Sequence, residues 1–297
     1  MRLAGPLGLA WWPRRIATDL AVTVVPEIIG RSAAAAERRA LGPEPARRPG
    51  AGAEVLQLRD YRRGDPLRAI DWKASARSSR LISRDFSEDQ HLQIVLVVDT
   101  GRASGLGAGE VDRLSLYVNV AARLAQRAVS LGDAVGVLSF AAQPLAALAP
   151  ASGASAVARM SALLAACRVQ PSESNPILAA GRVLSLTRRR SLVVLFTDLE
   201  DAAAGEPLLQ AVQLLSPKHL ACVAGLRSER ISALAQTAVA EPLGAYRALA
   251  AVEYTHTLSR HVRALNAVGA AALIARPEHL DQAVFAAYRE FRRRRRI

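Results

Sequence analysis

The chain has 297 residues, 51% of them hydrophobic and 22% charged, enough for one large domain or two modest ones with a proper core, which argues against an intrinsically disordered polymer. Thirty-nine Lys and Arg against 26 Asp and Glu give a formal net charge of +13, a balance that favours anionic partners without choosing among nucleic acid, an acidic protein face and anionic lipid. The 2 cysteines, Cys167 and Cys222, exclude a disulfide framework or a cysteine metal cluster and suit a reducing cytoplasm.

The opening "MRLAGPLGLAWWPRRIATDL" carries about ten apolar residues before Arg14, too few to cross a bilayer. It also lacks the ordered regions of a signal peptide. Trp11 and Trp12 beside Arg14 and Arg15 read as a partly ordered segment, with a membrane interface as the alternative. A short strand is predicted over 20–29, then a flexible Pro/Gly/Arg-rich loop over 31–54 with a short helix at its alanine run. "EVLQLRDY" is a weak strand candidate.

Asp65-Pro66 signals a helix start, with Asp65 as N-cap and proline at the first helical position. Leu67, Ile70 and Ala74 then share one helical face, with Trp72 at its flank, and the helix fades at "RSSR". "RLISRDF" follows as a strand, Ile82 and Phe86 on one face and Leu81 and Ser83 opposite. From residue 92 the pattern becomes regular. Strands are predicted at 92–99, 133–140, 191–198, 219–226 and 270–275, with helices over about 111–130, 153–168, 176–189, and 229–268, another after 198 and one at the C-terminus. Strands alternating with amphipathic helices predict an α/β fold, a mostly parallel sheet with helices on both faces, preceded by a small strand and helix extension.

In open α/β sheets, ligands bind beyond the carboxyl ends of the strands. Two such ends carry acids, Asp99 in "VVDTGRAS" and Asp198 in "LFTDLED". "GLGAG" (105–109) does not fit a phosphate fingerprint, since position 110 is Glu, and reads as a loop. The histidines, including His256 and His261, pair with no nucleophile motif, and no catalytic constellation emerges.

"VVDTGRAS" followed by a helix, with "LFTD" about a hundred residues later, resembles a von Willebrand factor A-type domain. "LRDYRRGDPLRAIDWKASAR…LISRDF" resembles the signature of the bacterial family called domain of unknown function 58, in which the signature directly precedes such a domain. The division that follows is an N-terminal segment over 1–54, the signature extension over 55–90, the A-like domain over 91–291 and a basic tail over 292–297. The resemblance implies an adaptor or assembly factor for a MoxR-type AAA+ ATPase or its client, not an enzyme. Many members carry membrane helices ahead of the signature, and none is seen here. The chain therefore reads as a shorter soluble version or a piece beginning after them, cytoplasmic, with membrane-surface association open.

The usual A-type motif, Asp-x-Ser-x-Ser, places two hydroxyls beside the aspartate on a cation. The matching positions here are Asp99, Gly101 and Ala103, so both hydroxyls are missing, and Thr100 and Ser104 lie one residue out of register. Ser174 is the nearest candidate for the second-loop threonine and Asp198 matches the third-loop aspartate. Asp99 and Asp198 are thus the candidate metal ligands, for a weak, water-mediated magnesium ion, with a weak magnesium-dependent hydrolase as the second alternative function. The preferred reading is no cofactor, with both aspartates accepting backbone amides near helix starts.

Around the signature, Arg59, Arg62, Asp65, Arg68, Asp71, Trp72 and Arg77 form the candidate partner-binding set. Its arginines serve either as internal ion-pair partners or as the face shown to a partner. Trp72, Leu67 and Ile70 are expected to pack the segment against the sheet domain as a clamp. The run Arg292 to Arg296 reads as a solvated tail, the alternative being a dock for anionic membrane or nucleic acid. Specific nucleic-acid recognition has no support, because the acids interrupt the positive charge and no recognition motif is present.

Overall fold

The structure is a computed structural model and describes residues 2–4, 11–13, 49–87, 91–108, 111–200, 205–236 and 242–294. The strand expected at 20–29 and the alanine-run helix lie outside the described residues. Two short antiparallel strands, β1 (Arg2–Ala4) and β2 (Trp11–Pro13), come first. The extension follows, with β3 (Pro49–Asp60), a 3-10 turn (Leu67–Ala69), helix α1 (Trp72–Ser78) and β4 (Ile82–Ser87). Strand β3 begins at Pro49, so the loop expected to run to residue 54 gives way to strand six residues sooner. It pairs antiparallel with β4, Asp60 opposite Ile82, which supplies the ladder bonds those backbone groups need.

The second unit contains β5 (Gln93–Asp99), a 3-10 turn (Arg102–Gly105), the short strands β6 (Gly107–Ala108) and β7 (Val111–Asp112), and helix α2 (Arg113–Ser130). Then come β8 (Ala134–Phe140), β9 (Pro144–Ala151), α3 (Ala154–Ala165), α4 (Pro176–Leu186), β10 (Leu192–Phe196) and α5 (Gly205–Leu215). β11 (Leu220–Leu226), α6 (Glu229–Gln236), α7 (Pro242–Ala267), β12 (Ala271–Ala275) and α8 (Leu280–Arg294) complete it.

Six strands form one sheet in the order β12-β11-β10-β5-β8-β9, parallel except for β9. The pleat explains why the aliphatic runs have no polar face. Along β5, Ile94, Leu96 and Val98 meet α2, α3 and α8 on one side, while Val95 and Val97 meet α4, α5 and α7 on the other. Each such aliphatic side chain contributes about 1.5–3 kcal/mol by leaving water.

Strand β9 is an edge strand absent from the sequence expectation. "PLAALAPA" is alanine- and proline-rich and only partly buried, and proline is tolerated at an edge because no ladder partner is lost there. At the other end, α8 continues through Arg294, so a solvated tail does not begin at residue 292. The fully buried Asp133 accepts the Tyr288 hydroxyl (2.6 Å) and the Arg292 guanidinium (2.7 Å), and Arg292 also donates to the Leu131 carbonyl (3.2 Å). The first arginine of the basic run is a structural residue.

Candidate functional site

The signature folds through a different cap from the one its proline suggests. Pro66 precedes only a 3-10 turn, and the N-cap of α1 is Asp71, whose carboxylate accepts the Ala74 amide at 3.0 Å. The other Asp71 oxygen accepts Arg84 Nε at 3.0 Å. Together the amide and the arginine hold its carboxyl below the ordinary range. Asp65 is instead gripped by Arg59 through two hydrogen bonds (2.7 and 2.9 Å) and accepts the Arg62 amide at 2.9 Å. Arg59 first, then that amide, lowers its pKa to about 2. Gly64 between them has a φ of +105°, the region that favours glycine, so Arg63-Gly64-Asp65 is a turn.

Arg59 also reaches Asp85 (2.9 Å) and Arg80 reaches Asp60 (3.1 Å). Asp60, Asp65, Asp71 and Asp85 are therefore all neutralised inside the extension. Arg62, Arg63, Arg68, Lys73 and Arg77 are exposed and enter no ion pair among the described residues. Beside them Leu67 is 72% and Trp72 64% exposed.

This overturns the expected clamp. Ile70 is buried and bridges Ser83, but Leu67 and Trp72 stand in water. Among the described residues, neither core cluster of the sheet domain contains a residue of the extension. On β4 the small Ser83 is buried. Of the candidate set, the structure places Arg62, Arg68, Trp72 and Arg77 on the surface and turns Arg59, Asp65 and Asp71 inward as the scaffold beneath them.

The second candidate site lies at the carboxyl ends of β5 and β10. Asp99 Oδ1 accepts the Gly101 amide (2.8 Å) and the Ser174 hydroxyl, and its Oδ2 accepts the Thr197 hydroxyl (2.6 Å). Asp198 Oδ1 accepts the Glu200 amide (2.8 Å) and lies 2.6 Å from Arg113 Nη1. Arg113 Nη2 donates to Glu200, which also accepts the Tyr254 hydroxyl (3.1 Å) and the Ser228 amide (2.8 Å). Burial pushes the Asp99 and Asp198 carboxyls up, partly offset by hydroxyl donors in one case and by Arg113 in the other. Burial opposes the charge on Arg113 too, but Asp198 and Glu200 keep it firmly protonated.

As expected, Thr100 and Ser104 face elsewhere, onto the Phe140 and Gly101 carbonyls. Ser174 does join the first loop, as a donor to Asp99. The residues do not fit a bound divalent ion. A Cβ at Gly101 would stand 2.0 Å from Ser174 Oγ, so no serine enters there without displacing it, and Asp198 is committed to a guanidinium. No group of three or more His, Cys, Asp or Glu side chains able to hold a metal occurs among the described residues. Arg113, Thr197, Glu200 and Tyr254 escaped the sequence reading. The one available signal was a basic residue in the first turn of a helix, where the macrodipole disfavours it.

The sheet order and acid-tipped rim define a von Willebrand factor A-like fold behind a short extension. The chain belongs to the family described as protein of unknown function DUF58, which matches residues 57–242. Uncharacterized proteins of Mycobacterium tuberculosis and Mycobacterium bovis are 31% identical over 90 residues, 30% of this chain. The match spans only 28% of those relatives' own length.

Among solved structures, the SpRpn10 VWA domain is similar at 10% identity and a TM-score of 0.42, covering 65% of this chain and 94% of that one. The conserved hypothetical protein BatB from Bacteroides thetaiotaomicron is similar at 11% identity and 0.42, covering 67% and 99%. A von Willebrand factor type A protein from Catenulispora acidiphila is similar at 12% and 0.42, covering 71% and 43%. Among the described residues, no helix is long and apolar enough to cross a membrane.

Proposed function

We propose that this chain is a non-enzymatic interaction module that works as an adaptor or assembly factor with a MoxR-type AAA+ ATPase, docking through its extension. The observation that carries this reading is the exposed Trp72 and Leu67 set among cations that enter no ion pair among the described residues. A large apolar anchor ringed by arginines is the composition of an interface hot spot, and the complementary surface is acidic with an apolar pocket. Arginine is suited to this because its planar fork takes carboxylates two bonds at a time.

The test is association of the purified full chain with the MoxR-type ATPase of the same genome, with ATP, with ADP and without nucleotide. Nucleotide-dependent binding is expected, and Trp72→Ala should weaken it by about tenfold to a hundredfold, the range for an interface anchor. The same variant should keep the wild-type melting temperature. Absence of association in every nucleotide state sinks the reading.

One competing reading draws on the same residues. Exposed Trp beside Arg and Lys also suits the headgroup layer of an anionic bilayer. Vesicles with and without phosphatidylserine separate the two, since a protein dock needs no lipid.

A further inference from the structure

We infer that the Arg113 guanidinium is the resident cation of the crevice at the strand tips, and that this crevice closes on itself instead of on a metal ion. Three carboxylates stand at or just beyond the tips of β5 and β10 with almost no access to water: Asp99 is 4%, Asp198 5% and Glu200 2% exposed. Buried carboxylates are tolerated only when a cation or several donors compensate them. Arg113, 4% exposed in the first turn of α2, supplies that charge to Asp198 and Glu200, while Asp99 is held by the Gly101 amide and the Ser174 and Thr197 hydroxyls.

Its position is one that the helix itself disfavours, because a cation meets the positive end of the macrodipole. What holds it there is the pair of acids, Asp198 at 2.6 Å and Glu200 through Nη2. The contact with Asp198 is a close ion pair without hydrogen-bond direction, since Arg113 Nη1 lacks a directed acceptor among the described residues. The Tyr254 hydroxyl and the Ser228 amide fix Glu200 from the opposite side.

A magnesium or calcium ion needs six or more oxygens around it. Here Asp99 Oδ1 and Oδ2, Asp198 Oδ1 and both Glu200 oxygens already hold protein donors. The hydroxyls of Ser174 and Thr197 point to Asp99 as donors. The lock joins the β5 and β10 tips, α2, the end of the β11–α6 connection and α7, so recognition that depends on it is mechanical and does not respond to chelators.

The experiment uses the full chain. Calorimetric titration with magnesium and manganese should give no saturable heat, and melting temperatures in EDTA and in magnesium should coincide. Arg113→Met should lower the melting temperature by about 10 °C, the cost of leaving buried acids without their cation. The triple variant Arg113→Met, Asp198→Asn, Glu200→Gln should recover most of that loss, or fold where the single variant does not.

Three results overturn the inference: saturable manganese binding that Asp198→Asn abolishes, a wild-type melting temperature for Arg113→Met, or a triple variant no more stable than the single one.

Discussion

At the residue scale, Trp72 and Asp71 exchange the roles their neighbourhood suggests. A tryptophan beside Leu67 and Ile70 at helical spacing reads as core, but that spacing assumes one continuous helix. The 3-10 turn ends at Ala69 and α1 starts at Trp72, so the phase is reset between them. Ile70 consequently points inward while Leu67 and Trp72 point out. Trp72→Ala therefore changes thermal stability little while weakening partner association, which denaturation and binding measured on the same sample will check. Asp71 carries more of the local fold. Asp71→Ala removes both the α1 cap and the Arg84 pair and should cost about 1 kcal/mol, read from a urea midpoint at unchanged slope.

At the element scale, the last helix and the edge strand show what amino-acid pattern conceals. A run of arginines at a C-terminus has the composition of a solvated tail, yet α8 carries Tyr288 and Arg292 on one face, four residues apart, and both meet Asp133. Asp133 in turn accepts the Leu92 amide at 2.9 Å, so the pair ties the helix to the start of the β5 ladder.

Arg292→Met should destabilise the fold by about 3 kcal/mol, because it leaves the fully buried Asp133 without its cationic partner. Chemical denaturation of the variant measures this, and an unchanged midpoint contradicts it. A truncation meant to test the basic run for membrane or nucleic-acid binding must begin after this residue. Strand β9 went unread for a related reason: alanine and proline carry no period-2 signal, and its place is set by the neighbouring edge of β8.

For the whole molecule, the net charge divides into a paired and an unpaired part, and only the unpaired part is available to partners. Acid sensitivity divides as well. His219 is buried, its Nδ1 accepting the Ser191 amide, and burial lowers its pKa below 6.5. The unfolded chain then takes the proton first, so this stability is whole above pH 6.5 and is lost as pH falls towards the folded value.

Asp65 and Asp71 act later. Their folded values are lowered, so their contribution is whole above pH 3.8 and disappears as pH falls through those values, about 2 for Asp65. Asp99 and Asp198 have the opposite sign: raised by burial, they cost stability as pH climbs above 3.8 through their folded values. The His219 contribution should therefore weaken as pH falls below 6.5, and His219→Gln should remove that part of the pH dependence of the melting temperature. A pH series of melts on the two proteins checks it, the alternative outcome being identical slopes.

Sequence by itself determined the parallel sheet, its helices and the two acid tips, because a buried strand must be apolar on both faces and that leaves an unmistakable run such as Ile94–Val98. It also located the signature and the missing hydroxyls at Gly101 and Ala103. Only the tertiary structure decided which charges are spent and which are offered. Arg113 and Asp198 are 85 positions apart in the chain, Asp133 and Arg292 159 apart. An ion pair has no sequence period to betray it: it exists only where the packed helices carry both charges out of water to the same place.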